Sequence, residues 1–96
     1  MTRKIQRDQD LTDNYRKGDI LGYQEGVAIA KVEVVKHLAT PEREIYTLRL
    51  NEIIRESAGF EPHNIGDEWE HWENRTGGGG AFGPHFLSLD RLYDFA

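Results

Sequence analysis

The stretch Val27–Leu38, with the sequence VAIAKVEVVKHL, decides the fold class of this chain. β-Branched residues dominate it, as they do on the pleated, half-buried surfaces of sheets. Alternate residues from Val27 onward share one face and those from Ala28 onward share the other, yet neither face is apolar from end to end. A bend or bulge near Lys31 would reconcile the two halves. Such curved strands close small barrels or join two sheets.

The neighbouring segments complete a β-hairpin around this strand. Ile20–Tyr23 is predicted to form a short strand that enters it through a turn at Gly26. After a surface loop at residues 40–44, Ile45–Leu50 resumes the alternation and should pair antiparallel with the first strand. Its inward-facing side chains are then Tyr46, Leu48 and Leu50.

The remaining segments are shorter and less regular. Asn51–Ala58 suits either an extension of the strand or a short helix with Gly59 at its C-terminus. Residues 67–73 are predicted to form an edge strand and residues 85–89 a last strand. Ser88 would then cap a closing turn. Inward-facing residues of that turn are predicted to be Leu89, Leu92 and Tyr93.

Length and composition favour one small domain. The chain has 96 residues, no cysteine and no long apolar stretch, which predicts a cytoplasmic protein that neither spans nor binds a membrane. Residues 1–14 contain few apolar side chains and are predicted to be a flexible arm or a frayed helix. Residues 15–96 should form the single β domain.

Charge is distributed unevenly along the chain. Residues 1–60 carry ten Lys and Arg and ten Asp and Glu, whereas residues 61–96 carry two and seven. Nucleic-acid binders usually need clusters of Lys and Arg to displace phosphate counterions. We therefore expect a protein partner with a neutral or basic surface, and no nucleic acid.

Catalytic and metal motifs are missing from the sequence. Neither serine, Ser57 nor Ser88, lies in a nucleophile-elbow motif, and the spacing of the four histidines matches no ligand motif. The run Gly77–Gly80 lacks the lysine and the helix of a phosphate-binding loop. We expect neither an enzyme nor a cofactor.

The best candidate site is the acidic and aromatic stretch around Trp69-Glu-His-Trp-Glu73. On a strand, the two tryptophans fall on opposite faces, so one should anchor the core while the other is exposed or covered by the glycine-rich loop. Exposed tryptophans are frequent hot spots of protein interfaces. The alternative is that both tryptophans belong to the core of a domain that is short of large side chains. The predicted binding residues are Glu68, Trp69, Glu70, Trp72 and Phe82.

Three segments resemble the opening of SH3-like small barrels: Tyr15–Leu21 (YRKGDIL), Glu25–Val35 (EGVAIAKVEVV) and Tyr46–Leu50 (YTLRL). In that superfamily a Lys-Gly-Asp turn leads into a strand, a glycine starts a long bent strand, and a hairpin returns. The resemblance spans residues 15–51 and implies an adaptor or subunit, with no site residue carried over. The expected fold is mainly β, a small antiparallel SH3-like barrel or curved sheet with at most one short helix.

These observations predict a non-enzymatic protein-binding module, either an adaptor or a small inhibitor of the kind that phages encode. It would use the acidic aromatic face. The alternative is a sensor or sequestering protein for a nucleotide or another small ligand, with Gly77–Gly80 as a lid and the site between subunits. The sequence leaves the oligomeric state open.

Overall fold

The structure, a computed structural model, describes residues 3–12, 14–60, 64–74 and 85–95. Strands take up 56% of them, which confirms a mainly β fold with a single short α-helix. No helix in these ranges is long and apolar enough to cross a membrane. In chain order the elements are β1 (Arg3–Lys4), a 3-10 turn (Asp8–Asp10), β2 (Asp19–Glu25), β3 (Ala28–Ala39), β4 (Arg43–Arg55), β5 (Glu68–Asn74), β6 (His85–Leu87), α1 (Leu89–Leu92) and a second 3-10 turn (Tyr93–Phe95).

The predicted hairpin is confirmed and forms the centre of the sheet. β3 pairs antiparallel with β4, and β2 pairs antiparallel with β3 through a turn in which Gly26 has a φ of 61°. Register shifts interrupt the β3–β4 pairing on either side of Ala30–Lys31 and again after Val34. Because bulges bend a strand and increase its twist, they account for the curvature predicted near Lys31.

β4 settles the alternative that the sequence left open. The strand continues through Asn51 to Arg55, with Ile53 opposite Ala30 and Arg55 opposite Ile29. β4 therefore pairs with β3 along nearly its whole length. Residues 51–55, for which the sequence also allowed a helix, extend the sheet. Tertiary pairing with β3 outweighs the local helical spacing.

The sheet is curled but is not closed into a barrel by the described strands. Its order is β1-β2-β3-β4-β5, and β6 also pairs with β2. Four strand spacings, about 19 Å in a flat sheet, separate β6 from β5. Yet the rings of Phe86 on β6 and His71 on β5 lie only 4.9 Å apart between centroids, so the sheet must curl. The predicted curved sheet is thus the form present, and it is mixed rather than purely antiparallel because β1 runs parallel to β2.

Two clusters of buried residues pack on opposite faces of β2 and β3. The first cluster fills the inside of the curl and includes Tyr23, Tyr46 and Leu48. The second cluster lies on the other face, where Ile29 contacts the α1 region through Leu89 and Leu92. Leu89 and Leu92 therefore face inward as predicted, whereas Tyr93 is 53% exposed and the prediction for it was wrong.

Residues 3–12, the described part of a segment predicted to be a flexible arm or a frayed helix, pack against the sheet. β1 pairs with β2, and Ile5 is only 1% exposed within the first cluster. The backbone amide of Leu89 donates to the carbonyl of Ile5, which joins this segment to α1. Sparse apolar residues suggested an arm, but one well-placed isoleucine and a short strand are enough to anchor it.

Ser88 occupies the N-cap position of α1, as predicted, but its hydroxyl does not cap the helix. Instead, Ser88 Oγ donates to Asp8 Oδ1 at 2.7 Å, and Arg91 Nε donates to Asp8 Oδ2 at 2.9 Å. Asp8 thus links the N-terminal segment to the helix. The serine serves a tertiary contact rather than a local one.

Candidate functional site

The predicted acidic aromatic stretch forms β5, which lies at one edge of the described sheet. It pairs antiparallel with β4, with Leu48 opposite Trp69 and Ile45 opposite Trp72. Since side chains alternate along a strand, Trp69 lies on the inner face of the curl and Trp72 on the outer face. Trp69 packs against the first cluster, whereas Trp72 is 53% exposed. The pleat therefore separates the two predicted aromatic site residues.

Trp69 belongs to an aromatic group that joins two strands, β2 and β5, and a loop. Its ring meets Tyr23 at a centroid distance of 5.5 Å and Phe60 at 5.6 Å, both edge to face. Such pairs contribute about 0.5–1.5 kcal/mol beyond the buried area. Trp69 Nε1 is buried and has no hydrogen-bond partner among the described residues. An unsatisfied buried donor costs about 1–3 kcal/mol, so the ring packs here despite that cost.

A cleft of about 520 Å³ opens beside Trp69 at the edge of the sheet. We call it the acidic cleft, because four carboxylates line it and the described lining residues include no Lys or Arg. Its aromatic wall is formed by Phe60 and Trp69. The complete set of lining residues is Glu25, Gly59, Phe60, Asp67, Glu68, Trp69 and Glu70.

The carboxylates of the acidic cleft differ in their surroundings. Glu25 accepts a hydrogen bond from the Tyr23 hydroxyl at 2.7 Å, and burial together with this bond raises the pKa of Tyr23. Glu68 accepts two hydrogen bonds from Arg49, at 3.0 and 3.1 Å. Glu70 is exposed and lies opposite the neutral Thr47. Glu68 is thus partly neutralised by β4, while Glu70 presents its charge to solvent.

Trp72 does not line the acidic cleft and belongs to a second group of side chains, which we call the outer row. Leu38, Ile45 and Trp72 are cross-strand neighbours on β3, β4 and β5. Leu38 and Trp72 are 52% and 53% exposed. The Arg43 guanidinium lies 4.5 Å above the Trp72 ring in a cation–π contact. The outer row is therefore apolar, and it has the positive charge of Arg43 above it and the negative charge of Glu70 two residues away on the same face of β5.

Two histidine–glutamate pairs flank Tyr46 on the inner face. His71 Nε2 lies 2.8 Å from Glu73 Oε1, and His37 bonds to Glu44 while its ring stacks on Tyr46 at 4.8 Å. His71 and Glu44 are buried. Among the described residues, no group of three or more metal-ligating side chains occurs. Each histidine is hydrogen-bonded to a glutamate, as buried polar groups generally require.

The structure therefore brings Glu68, Trp69 and Glu70 to one cleft, whereas Trp72 lies outside the cleft, on the opposite face of β5 from Trp69. Phe82 and the run Gly77–Gly80 lie outside the described residues. Sequence reasoning missed Glu25, Phe60 and Asp67. Asp67 directly precedes the predicted residues and shares their charge, so it had a local signal. Glu25 ends β2 and Phe60 lies in the loop before β5, and no local sequence pattern connects either residue with β5.

Comparison with known proteins yields no relative to guide the assignment of this cleft. No family model, curated protein or solved structure matches the chain. The molecule is thus classed by its geometry alone, as a curled mixed β-sheet with an acidic cleft at one edge.

Proposed function

We propose that this chain is a non-enzymatic protein-binding module, an adaptor or a small inhibitor of the kind that phages encode. Its binding surface is the edge formed by β5 together with the acidic cleft. The observation that carries the proposal is the lining of this cleft, where four carboxylates accompany the rings of Phe60 and Trp69. Carboxylates attract Lys and Arg, and aromatic rings contact both the methylene stems and the cations of these residues. We therefore expect a partner with a basic surface.

The charges and the apolar groups contribute differently to such an interface. Exposed carboxylates such as Glu70 chiefly accelerate encounter and exclude acidic competitors, with an effect that falls as salt is raised. An exposed tryptophan contributes buried area at low entropic cost, and the outer row places Trp72 within reach of a partner that extends over the edge. Affinity should therefore depend on both Glu70 and Trp72.

The acidic cleft argues against the alternative of a nucleotide sensor. A phosphate group placed there would meet Glu25, Asp67, Glu68 and Glu70 without a lysine or arginine among the described lining residues. Like charges at close range destabilise such a complex. A protein-binding module without cysteine also suits the reducing cytoplasm, which we propose as its location.

The proposal is tested by comparing baits that differ only in where charge is reversed. The test variant is Glu68→Lys/Glu70→Lys. The control is Glu56→Lys/Asp94→Lys, which changes the net charge equally at exposed residues that do not line the cleft. Each bait is immobilised, and captured proteins are quantified by mass spectrometry. We expect proteins that the wild type and the control capture but the test variant does not.

A protein captured in this way is then purified and titrated against all three chains. The test variant should bind about tenfold or more weakly at low salt, and the difference should shrink as salt rises. Reversing exposed charges costs only about 0–1 kcal/mol of stability, so circular dichroism should show that both variants fold. Equal capture by the wild type and the test variant would rule out this surface as the interface.

A further inference from the structure

β5 is an edge strand of the described sheet, so it can offer a partner backbone hydrogen-bonding groups as well as side chains. One edge of the strand pairs with β4, and the other edge pairs with no strand among the described residues. Alternate residues of a strand direct their N–H and C=O groups toward the opposite edge, where an additional strand can accept and donate hydrogen bonds. β5 has seven residues and is therefore about 23 Å long, which is enough for a stable ladder.

The charges of β5 select the kind of strand that would fit this edge. The strand contains Glu68, Glu70 and Glu73 but no lysine or arginine. Pairing two copies of β5 with each other would bring six carboxylates together, so the chain opposes its own association at this edge. A strand that carries basic residues instead gains opposite-charge pairs. Charge complementarity thus points to a basic segment of another protein rather than to a second copy.

The side-chain alternation gives the expected pattern of the incoming segment. On the outer face of β5, Glu68, Glu70 and Trp72 follow one another at every second position. Side chains directly opposite on a paired strand lie about 4.5–5.5 Å away. In an antiparallel partner, an apolar residue would therefore meet Trp72, and basic residues at the next two alternate positions would meet Glu70 and Glu68. The second basic residue would end beside the acidic cleft.

We propose that the partner binds by adding an extended antiparallel strand to the edge of β5, with the pattern apolar-x-basic-x-basic. This inference rests on the proposed protein-binding function and specifies how the same surface recognises its partner. Backbone hydrogen bonds hold the segment along β5. The pairing with Trp72, Glu70 and Glu68 sets its register and its direction.

The test uses the native protein and an acetylated, amidated peptide of sequence Thr-Leu-Thr-Lys-Thr-Lys-Thr. One modified peptide carries N-methyl groups on the backbone nitrogens of Leu and both Lys, and the other carries them on the backbone nitrogens of the Thr residues. Each therefore loses the N–H donors along one edge of the peptide strand only. Binding is measured by calorimetry and by amide exchange of β5. Strand addition predicts that one modified peptide binds about as well as the parent and the other about tenfold or more weakly. Slower exchange should appear at alternate residues of β5.

Three outcomes separate this inference from the function on which it rests. If both N-methylated peptides bind as tightly as the parent, strand addition is wrong, while an acidic protein-binding surface still stands. If the parent binds no better than the same peptide with Asp in place of Lys, the proposed charge pattern is wrong, and the lysate comparison alone decides the function. If the Glu70→Lys variant binds the Asp peptide more tightly than the Lys parent, the reversal of preference would confirm the register at Glu70.

Discussion

Buried polar side chains tie distant segments together at the scale of single residues. Asp19 is 2% exposed and accepts two hydrogen bonds from Arg3, at 2.6 and 3.0 Å. It also accepts one from the backbone amide of Arg16 at 2.9 Å. This carboxylate therefore joins β1 to the turn before β2, and it explains how a two-residue strand stays paired.

Tyr23 and Tyr46 give the molecule a predictable response to alkaline pH. Burial is the main reason that the pKa of each phenol is raised. The folded state then retains protons that the unfolded chain releases near pH 10, so stability is complete below that pH and falls as pH rises further. The slope approaches about 1.4 kcal/mol per pH unit for each such group.

Tyr23→Phe should reduce the loss of folding stability at alkaline pH. We expect the variant to be less stable at pH 7, because the hydrogen bond to Glu25 is lost, but to lose less stability than the wild type between about pH 10 and 11. Urea unfolding at several pH values measures both effects. Tyr93→Phe, at an exposed tyrosine, is the control. Parallel pH curves for Tyr23→Phe and the wild type would contradict the expectation.

At the scale of elements, β2 packs closely against both β6 and α1, and this packing depends on Gly22. A Cβ added to Gly22 would lie 3.0 Å from Leu87 Cβ and 3.1 Å from Leu92 Cδ1. The missing side chain allows β6 to pair with β2 while α1 packs across it. A larger residue would force these elements apart.

Gly22→Ala should therefore lower the free energy of unfolding by about 1–3 kcal/mol, as overpacking of a well-packed core does. The measurement is urea unfolding followed by tryptophan fluorescence. Gly59→Ala is the matched control, since an added Cβ there would meet nothing within 4 Å. It should change stability by no more than about 0.5 kcal/mol. A neutral Gly22→Ala would show that the contact between β2 and β6 is looser than described.

At the scale of the whole molecule, the two core clusters share the same strands. Ile29 belongs to the second cluster, while its neighbours Ala28 and Ala30 belong to the first. Loss of packing on one face therefore frees the strands that support the other. The chain should unfold as one cooperative unit.

Leu92→Ala tests this coupling from the face of the sheet opposite Trp69. Leu92 is fully buried in the second cluster, so its truncation should cost about 2–5 kcal/mol. Because Trp69 packs against the first cluster, tryptophan fluorescence and far-ultraviolet circular dichroism should shift to the same lower midpoint. Val27→Ala, at a residue 59% exposed, is the control. Separate midpoints for the two signals would show two independent units.

The sequence predicted the central elements because their signals are local. Alternation along Val27–Leu38 and Ile45–Leu50 indicated an antiparallel hairpin, whereas its register, with the shifts in it, came only from the structure. The position of Tyr93 was predicted wrongly, and the place of Ile5 in the core was not predicted. Both depend on which distant surface meets a short terminal segment, and neither segment is long enough to show a period.

The candidate site divides in the same way. The sequence by itself determined that Glu68 and Glu70 accompany Trp69 on one acidic strand, since spacing along a strand sets which side chains are neighbours. The sequence also predicted that the two tryptophans lie on opposite faces, and only the tertiary structure decided that Trp69 is the inner one and that Glu25 and Phe60 join the cleft. The physical reason is the curl of the sheet, which arises from bulges and long-range packing and brings together residues that no local spacing relates.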